Sequence, residues 1–190
     1  MSKDTISSLQ QFVFDRSISL PDLLLKTVVI ATELHQPHLL NWAKDEIEGY
    51  SPDAKLPSYR LVPSRLVVSN PFRGWIPVAF GDPEFSKIFE TFHLRYPISE
   101  LDHLVALAKA NKESELHITL SSDLVSSLAK MTATQENFVS AISVSSVVAL
   151  LDKVRTIVLQ WTLNLQDQPS TAFPTPLDDL VPFDSTDPYS

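Results

Sequence analysis

The stretch Ser145–Leu165, SSVVALLDKVRTIVLQWTLNL, decides the fold class because it is the clearest helix that the sequence predicts. A second apolar set on this helix, Val148, Leu159 and Leu163, widens its face beyond a single stripe. Such a helix is either central to its domain or packed against another chain. The main apolar stripe recurs at helical spacing and consists of Val147, Leu150, Leu151, Val154, Ile157, Val158, Trp161 and Leu165.

Two charged residues interrupt this apolar helix. Asp152 and Arg155 are three positions apart, which places them within pairing distance on one helix face. One interpretation is a structural ion pair between them at the helix edge. The other is that Arg155 reaches a partner or the strand layer. We therefore predict that the interaction surface of the chain consists of Val148, Leu159, Leu163, Asp152 and Arg155.

The first half of the chain predicts three helices. A short amphipathic helix ends before Ser17, and a second begins after Ser19, which is a predicted N-cap with Pro21 and Asp22 in the first turn. Pro37 can open the third helix because its missing N–H is not needed there. We predict that the second and third helices form an antiparallel hairpin.

The third helix has a predicted buried side and a predicted exposed side. Gly49 is its predicted terminator, because glycine tolerates a left-handed conformation. The exposed side contains Lys44, Asp45 and Glu48. The buried side contains Leu39, Trp42, Ala43, Ile47 and Tyr50.

The middle of the chain is rich in β-branched and aromatic residues. Helices are predicted after Ser99 and over residues 123–131, between the strands. The resulting fold class is α+β, with an N-terminal helical hairpin, a small mixed or antiparallel sheet in the middle and a long apolar C-terminal helix. The predicted strands are residues 59–68, 75–80, 115–120 and 135–144.

Charge and proline content separate the C-terminal end from the rest. Of a net charge of −8, five negative charges come from aspartates in residues 167–190, where lysine and arginine are absent. We predict one globular domain over residues 1–166 and an acidic, proline-rich, flexible tail over residues 167–190. The segment Phe173–Phe183 is either part of a disordered end or a short motif that docks on this protein or another. An acidic chain disfavours nucleic acid as a partner.

Residues that are absent or scarce exclude several functions. The chain has no cysteine, which excludes disulfides, thiolate metal sites and a cysteine nucleophile. Its three glycines are not clustered as a phosphate-binding loop or a dinucleotide fingerprint requires, and no Gly-x-Ser-x-Gly elbow occurs. We expect no cofactor and no metal. With no secretory signal and no apolar run of the ~20 residues that span a membrane, the expected location is the cytoplasm.

Three groups of polar residues could suggest chemistry. Glu33, His35 and His38 superficially suggest a metal site, but their number and spacing favour a plain surface loop. The neighbouring carboxylates of Asp45, Glu46 and Glu48 are interpreted as a solvated helix face.

A third group would support a nuclease. Arg95 and His103 resemble the arginine-to-histidine spacing of HEPN-class ribonucleases, but seven residues including Pro97 separate them. An enzyme would require a cleft that joins Arg60, Arg95 or Arg155 with His93, His103 or His117. The sequence therefore leaves enzymatic activity open and favours its absence.

Six stretches, taken in their order along the chain, carry a family resemblance: Leu23–Lys26, Ala31–Leu34, Trp42–Tyr50, Leu56–Arg60, Pro97–Leu101 and Ala149–Thr156. Together they resemble the AbiTii domain, a bacterial family associated with abortive infection, over roughly residues 20–166. This resemblance implies a defence role and supplies no catalytic residue.

The leading hypothesis combines this resemblance with the apolar final helix. It is a non-enzymatic module that forms a homo-oligomer or binds a partner protein in the response to phage. The alternatives are a sensor that binds a phage component or a small nucleotide, and a cryptic nuclease.

Overall fold

The structure is a computed structural model that describes residues 2–132 and 137–167. Within these ranges it contains seven α-helices, one short 3-10 helix and five strands. The predicted flexible tail lies outside the described residues from position 168 on, so it stays a prediction. The helices are α1 (Ser2–Phe14), α2 (Leu20–Glu33), α3 (Pro37–Glu48), α4 (Pro83–Lys87), α5 (Ile98–Asn111), α6 (Ser122–Thr132) and α7 (Val144–Asp167).

The strands form a small antiparallel sheet, so the α+β prediction is confirmed. The order across the sheet is β2-β1-β5-β4, and β3 pairs with β1. Every pairing is antiparallel, which decides between the mixed and antiparallel sheets that the sequence left open. The strands are β1 (Leu61–Asn70), β2 (Gly74–Pro77), β3 (Thr91–His93), β4 (Glu115–Thr119) and β5 (Phe138–Ser143).

The chain divides into two compact units. Among the described residues, the helical unit contains 2–60, 95–99 and 151–167. The sheet unit contains 61–94, 100–132 and 137–150. The predicted boundary of a single domain at residue 166 stays a prediction.

Local sequence signals set the helix ends in the helical unit. The hydroxyl of Ser19 accepts the backbone N–H of Asp22 at 3.2 Å, which confirms the predicted N-cap of α2. Pro37 is the first residue of α3, and Gly49 follows its last residue, as predicted. Only three residues separate α2 from α3, and His35 among them turns the chain with a φ of 54°.

The sheet unit has its own core on one face of the sheet. Leu66 and Val68 of β1 and Phe138 of β5 are buried with Phe89 and Leu128. The rings of Phe80, Phe85 and Phe89 pack against one another there, with centroids between 4.7 and 5.6 Å apart. The predicted alternation in residues 115–120 is confirmed, since Leu116 and Ile118 are both buried.

Several predicted boundaries differ from the structure. Ser58–Arg60 form a 3-10 helix, so β1 begins two residues later than predicted and Arg60 does not belong to a strand. Strand β2 ends at Pro77 rather than at Phe80, although the backbone N–H of Val78 still donates to the carbonyl of Leu66. Pro77 lies on an edge strand, where its missing N–H is tolerated. The sequence did not predict α4 or β3, which are too short, at five and three residues, to show a period.

The first prediction concerns Gly49, where two constraints meet. Its backbone, with φ 84° and ψ 168°, lies in a region that essentially only glycine adopts. A Cβ there would also lie 2.8 Å from the carbonyl oxygen of Arg95. Gly74 has a similar φ of 72° but open space around it.

We therefore expect Gly49→Ala to lower the free energy of unfolding by more than Gly74→Ala, which should cost about 1–2 kcal/mol. Urea denaturation of both variants measures the difference. Equal losses would show that the close approach to Arg95 does not constrain the fold.

Candidate functional site

The most concentrated group of polar side chains lies on the buried face of α3. Leu39, Trp42, Ala43 and Glu46 recur at the spacing i, i+3, i+4, i+7 and are all buried. Glu46 has no accessible surface at all. The interpretation of this carboxylate as part of a solvated face is therefore wrong.

Glu46 accepts hydrogen bonds at both carboxylate oxygens. Its Oε1 accepts the hydroxyl of Tyr50 at 2.6 Å and the hydroxyl of Tyr59 at 2.7 Å. Its Oε2 accepts Nη2 of Arg60 at 2.5 Å. The side chains of Glu46 and Arg60 are each 0% exposed, so this is a fully buried ion pair.

Further contacts extend this network. The indole Nε1 of Trp42 donates to the hydroxyl of Tyr59 at 2.8 Å. Nη1 of Arg60 donates to the backbone carbonyl of Tyr96 at 2.6 Å, and the guanidinium lies 4.8 Å from the centre of the Tyr50 ring. We call Trp42, Glu46, Tyr50, Tyr59 and Arg60 the buried polar network.

Burial keeps both phenols of the network neutral. It raises the pKa of Tyr50 and of Tyr59 well above the usual range, and the negative charge of Glu46 adds to the effect. Neutral hydroxyls can donate to a carboxylate, whereas phenolates could not. The pKa of the neighbouring Asp45 is also raised. Partial burial is the larger cause, and the negative charges of Glu46 and Glu48 add to it.

The segment after β3 ties the loop that follows α3. Arg95 donates through Nη1 to the backbone carbonyls of Ser51 and Ala54. Its own carbonyl accepts the backbone N–H of Tyr50 at 2.9 Å. Arg95, which resembled part of a ribonuclease motif, therefore has a structural task in holding this loop.

The two charged residues on α7 contact the N-terminal segment. Asp152 accepts Nη1 of Arg16 at 2.8 Å, in an ion pair whose side chains are 54% and 74% exposed. Arg155 donates to the carbonyls of Val13 and Ile18 at 3.1 and 2.8 Å. Asp152 therefore pairs with Arg16 rather than with Arg155, as one interpretation of the sequence had predicted. Arg155 instead holds the turn between α1 and α2.

The apolar residues predicted for the interaction surface are partly covered. The main stripe of α7 is largely buried, including Val147, Val154 and Val158 at 0% exposure. Val148 and Leu159 are half-buried, and Leu163 is 48% exposed. The apolar surface that α7 leaves open is therefore centred on Leu163.

The remaining candidates lie at the surface or pack on a neighbouring ring. In residues 2–132 and 137–167, no group of three or more His, Asp or Glu side chains could hold a metal ion. His93 and His103 are exposed, and the His117 ring packs on Trp75 with centroids 4.5 Å apart. Among the helices that the structure describes, none is long and apolar enough to cross a membrane.

The buried polar network can stabilise one arrangement of the chain, and its ion pair between Glu46 and Arg60 has no surface that solvent can reach. A buried charge must be paired, and removing one partner typically costs about 3–5 kcal/mol. Sequence reasoning missed Glu46 because its neighbours Asp45 and Glu48 are charged too. Its position seven residues after Leu39 on the apolar stripe was the signal that could have identified it.

The second prediction tests this network. Glu46→Gln keeps an oxygen acceptor but leaves the Arg60 charge buried, so we expect a loss of about 3–5 kcal/mol in the free energy of unfolding. Glu48→Gln, an exposed change on the same helix, should cost less than about 0.5 kcal/mol. Urea denaturation measures both. A cost near that of Glu48→Gln would mean that the charge pair contributes nothing.

The third prediction follows from the raised pKa of the two phenols. Below a pH of about 10 both phenols are neutral in the folded and unfolded states. Above it the unfolded chain releases these protons and the folded chain does not, so the free energy of unfolding should decrease as the pH rises. Urea denaturation at about pH 8 and 10.5 measures this slope.

The double variant Tyr50→Phe, Tyr59→Phe is the control. It lacks the two phenols, but its lysines still titrate in the same pH range, so the difference between the two proteins isolates the phenols. The double variant should lose less stability between the two pH values than the unaltered chain. The same loss in both proteins would contradict the burial of these hydroxyls.

Comparison with known proteins gives one family match. The AbiTii family model matches residues 4–176, which begins before and ends beyond the span of the resemblance seen in the sequence. No curated protein and no solved structure matches the chain. Since the match covers most of the 190 residues, the chain belongs to the AbiTii family, whose domain is associated with abortive infection.

Proposed function

We propose that this chain acts in an abortive-infection response to phage as a non-catalytic module that binds other protein chains, in the cytoplasm. Membership in the AbiTii family supports the setting. The burial of the polar network supports the non-catalytic part, and it is the single observation on which this proposal rests. A substrate cannot reach Glu46 or Arg60, because neither side chain has any accessible surface.

Each of the three arginines that could belong to a catalytic cleft makes structural contacts. Arg60 binds Glu46 and the Tyr96 carbonyl, and Arg95 binds two carbonyls of the loop after α3. Arg155 binds the carbonyls of Val13 and Ile18. Moving any of them to a substrate would break these bonds.

The surface of α7 remains our candidate for binding a partner protein. Leu163 is its exposed centre, with Leu159 and Val148 half-buried. Asp152 is available at the surface, because an exposed ion pair such as that with Arg16 contributes only about 0–1 kcal/mol and can be exchanged. Arg155 holds the turn between α1 and α2 through the carbonyls of Val13 and Ile18.

The fourth prediction separates binding from catalysis in cells. In a host in which the chain reduces phage plating, Leu159→Glu with Leu163→Glu should abolish protection, because charges on this face oppose a protein contact. Leu107→Glu is the matched control, since Leu107 on α5 is also 48% exposed. It should keep protection.

The triple variant His93→Ala, His103→Ala, His117→Ala tests the cryptic nuclease. We expect its plating efficiency to match that of the unaltered chain, since all three side chains are exposed and can be removed without unfolding. Thermal melting confirms folding. A folded triple variant that no longer protects would overturn the non-catalytic proposal.

A further inference from the structure

Helix α2 is apolar on the side that faces the solvent as well as on the side that faces the core. Its inner face is buried through Leu20, Leu23, Leu24, Thr27, Ile30 and Ala31. On the outer face Leu25 is 54% and Val29 57% exposed. Val28 is half-buried beside them. We call Leu25, Val28 and Val29 the outer face of α2.

This face has a hollow at one end. An open depression is lined by Ser17, Ile18, Asp22, Leu25 and Lys26. Leu25 thus belongs to both the depression and the exposed stripe, and Val29 follows it one turn later. An exposed apolar stripe beside a concavity is typical of a protein contact.

Charges of opposite sign flank Val29 on one side of the stripe. Lys26 lies three residues before Val29 and Glu33 four residues after it, so both project from the same side of the helix. The ammonium of Lys26 lies 4.2 Å from the centre of the Phe12 ring. Within the described part of the chain, Glu33 makes no ion pair.

We propose that the outer face of α2 binds a second copy of this chain, with the two helices antiparallel about a two-fold axis at Val29. A two-fold interface must be complementary to itself, because the same patch is used twice. In the reversed copy Glu33 lies opposite Lys26, so one Lys26–Glu33 pair stands near each end of the contact, on the same side of it. This inference goes beyond the proposed function, because it adds a second surface, on α2, and names its occupant.

The position of the depression agrees with this arrangement. With Val29 at the axis, the end of the second copy's α2 lies over the hollow that Leu25 and Lys26 line. The carboxylate of its Glu33 then approaches the ammonium at the rim. The apolar centre supplies affinity, and the charges set the direction of the helices.

The size of the surface limits the strength of the contact. A helix of 14 residues is about 21 Å long, so this face buries less than the ~800 Å² per partner of a standard interface. We therefore expect a dimer with a Kd on the order of micromolar.

The absence of cysteine from the chain allows a direct test by cross-linking. Val29→Cys should form a disulfide-linked dimer on mild oxidation of the full chain, because residues at a two-fold axis bring their Cα atoms within the ~4.4–6.8 Å that a disulfide spans. Leu107→Cys and Leu163→Cys are controls of similar exposure, on α5 and α7. Non-reducing electrophoresis measures the covalent dimer.

The proposal is supported if Val29→Cys gives a much larger fraction of covalent dimer than either control. If Leu163→Cys alone gives dimer, a second copy binds α7 and the proposal is wrong. The proposal is also wrong if Val29→Cys gives no more dimer than Leu107→Cys, because the dimer of both variants would then come from random collision.

A charge exchange tests the direction of the helices. Lys26→Glu alone and Glu33→Lys alone should each weaken dimerisation about tenfold, since the axis repeats each pair twice. The double variant should restore it. Sedimentation equilibrium measures the Kd, and thermal melting checks that the loss of the Lys26–Phe12 contact has not unfolded the chain.

A double variant as weak as the single ones would overturn the antiparallel pairing. Failure of this inference is distinguishable from failure of the proposed function. A chain that stays monomeric at ~100 μM, well above the expected Kd, excludes the α2 dimer. If protection in cells still requires Leu159 and Leu163 but not the histidines, the binding function stands.

Discussion

The ion pair between Glu46 and Arg60 is the constraint on which the helical unit depends. Neither side chain has any accessible surface, so each charge must find its compensation inside the protein. The carboxylate is satisfied by Arg60 and two tyrosine hydroxyls, and the guanidinium also reaches the Tyr96 carbonyl. These bonds connect α3, the 3-10 helix and the segment Arg95–Ser99. The three segments are therefore held in fixed positions relative to one another. An apolar core would tolerate small shifts that this arrangement does not.

Two of the six stretches that carry the family resemblance coincide with this constraint. Trp42–Tyr50 and Leu56–Arg60 supply all five side chains of the buried polar network, and Gly49 lets the chain pass close to the Arg95 carbonyl. These two stretches therefore carry a folding requirement. Contacts with other molecules take place at exposed surfaces instead.

Two helices offer such a surface for different reasons. Helix α7 has more apolar residues, but the fold buries most of them and leaves an opening at Leu163. Helix α2 is shorter, and the buried side chains of its inner face leave Leu25 and Val29 in solvent. Counting apolar residues along a helix thus overestimated the exposed surface of α7, since exposure depends on what packs on each side.

The sequence by itself determined the α+β class, the ends of α2 and α3 at Ser19, Pro37 and Gly49, and the alternation of β4. These features depend on contacts within a few residues, so local spacing is sufficient to predict them. Only the tertiary structure decided that Glu46 is buried, that Asp152 pairs with Arg16 and that Arg155 holds the α1–α2 turn. A charged side chain is stable either in water or in a core that supplies a partner. Along the sequence, the partner lies 14 residues from Glu46 and 136 residues from Asp152. The reason is physical: a charge can be buried only where the fold brings its compensating groups.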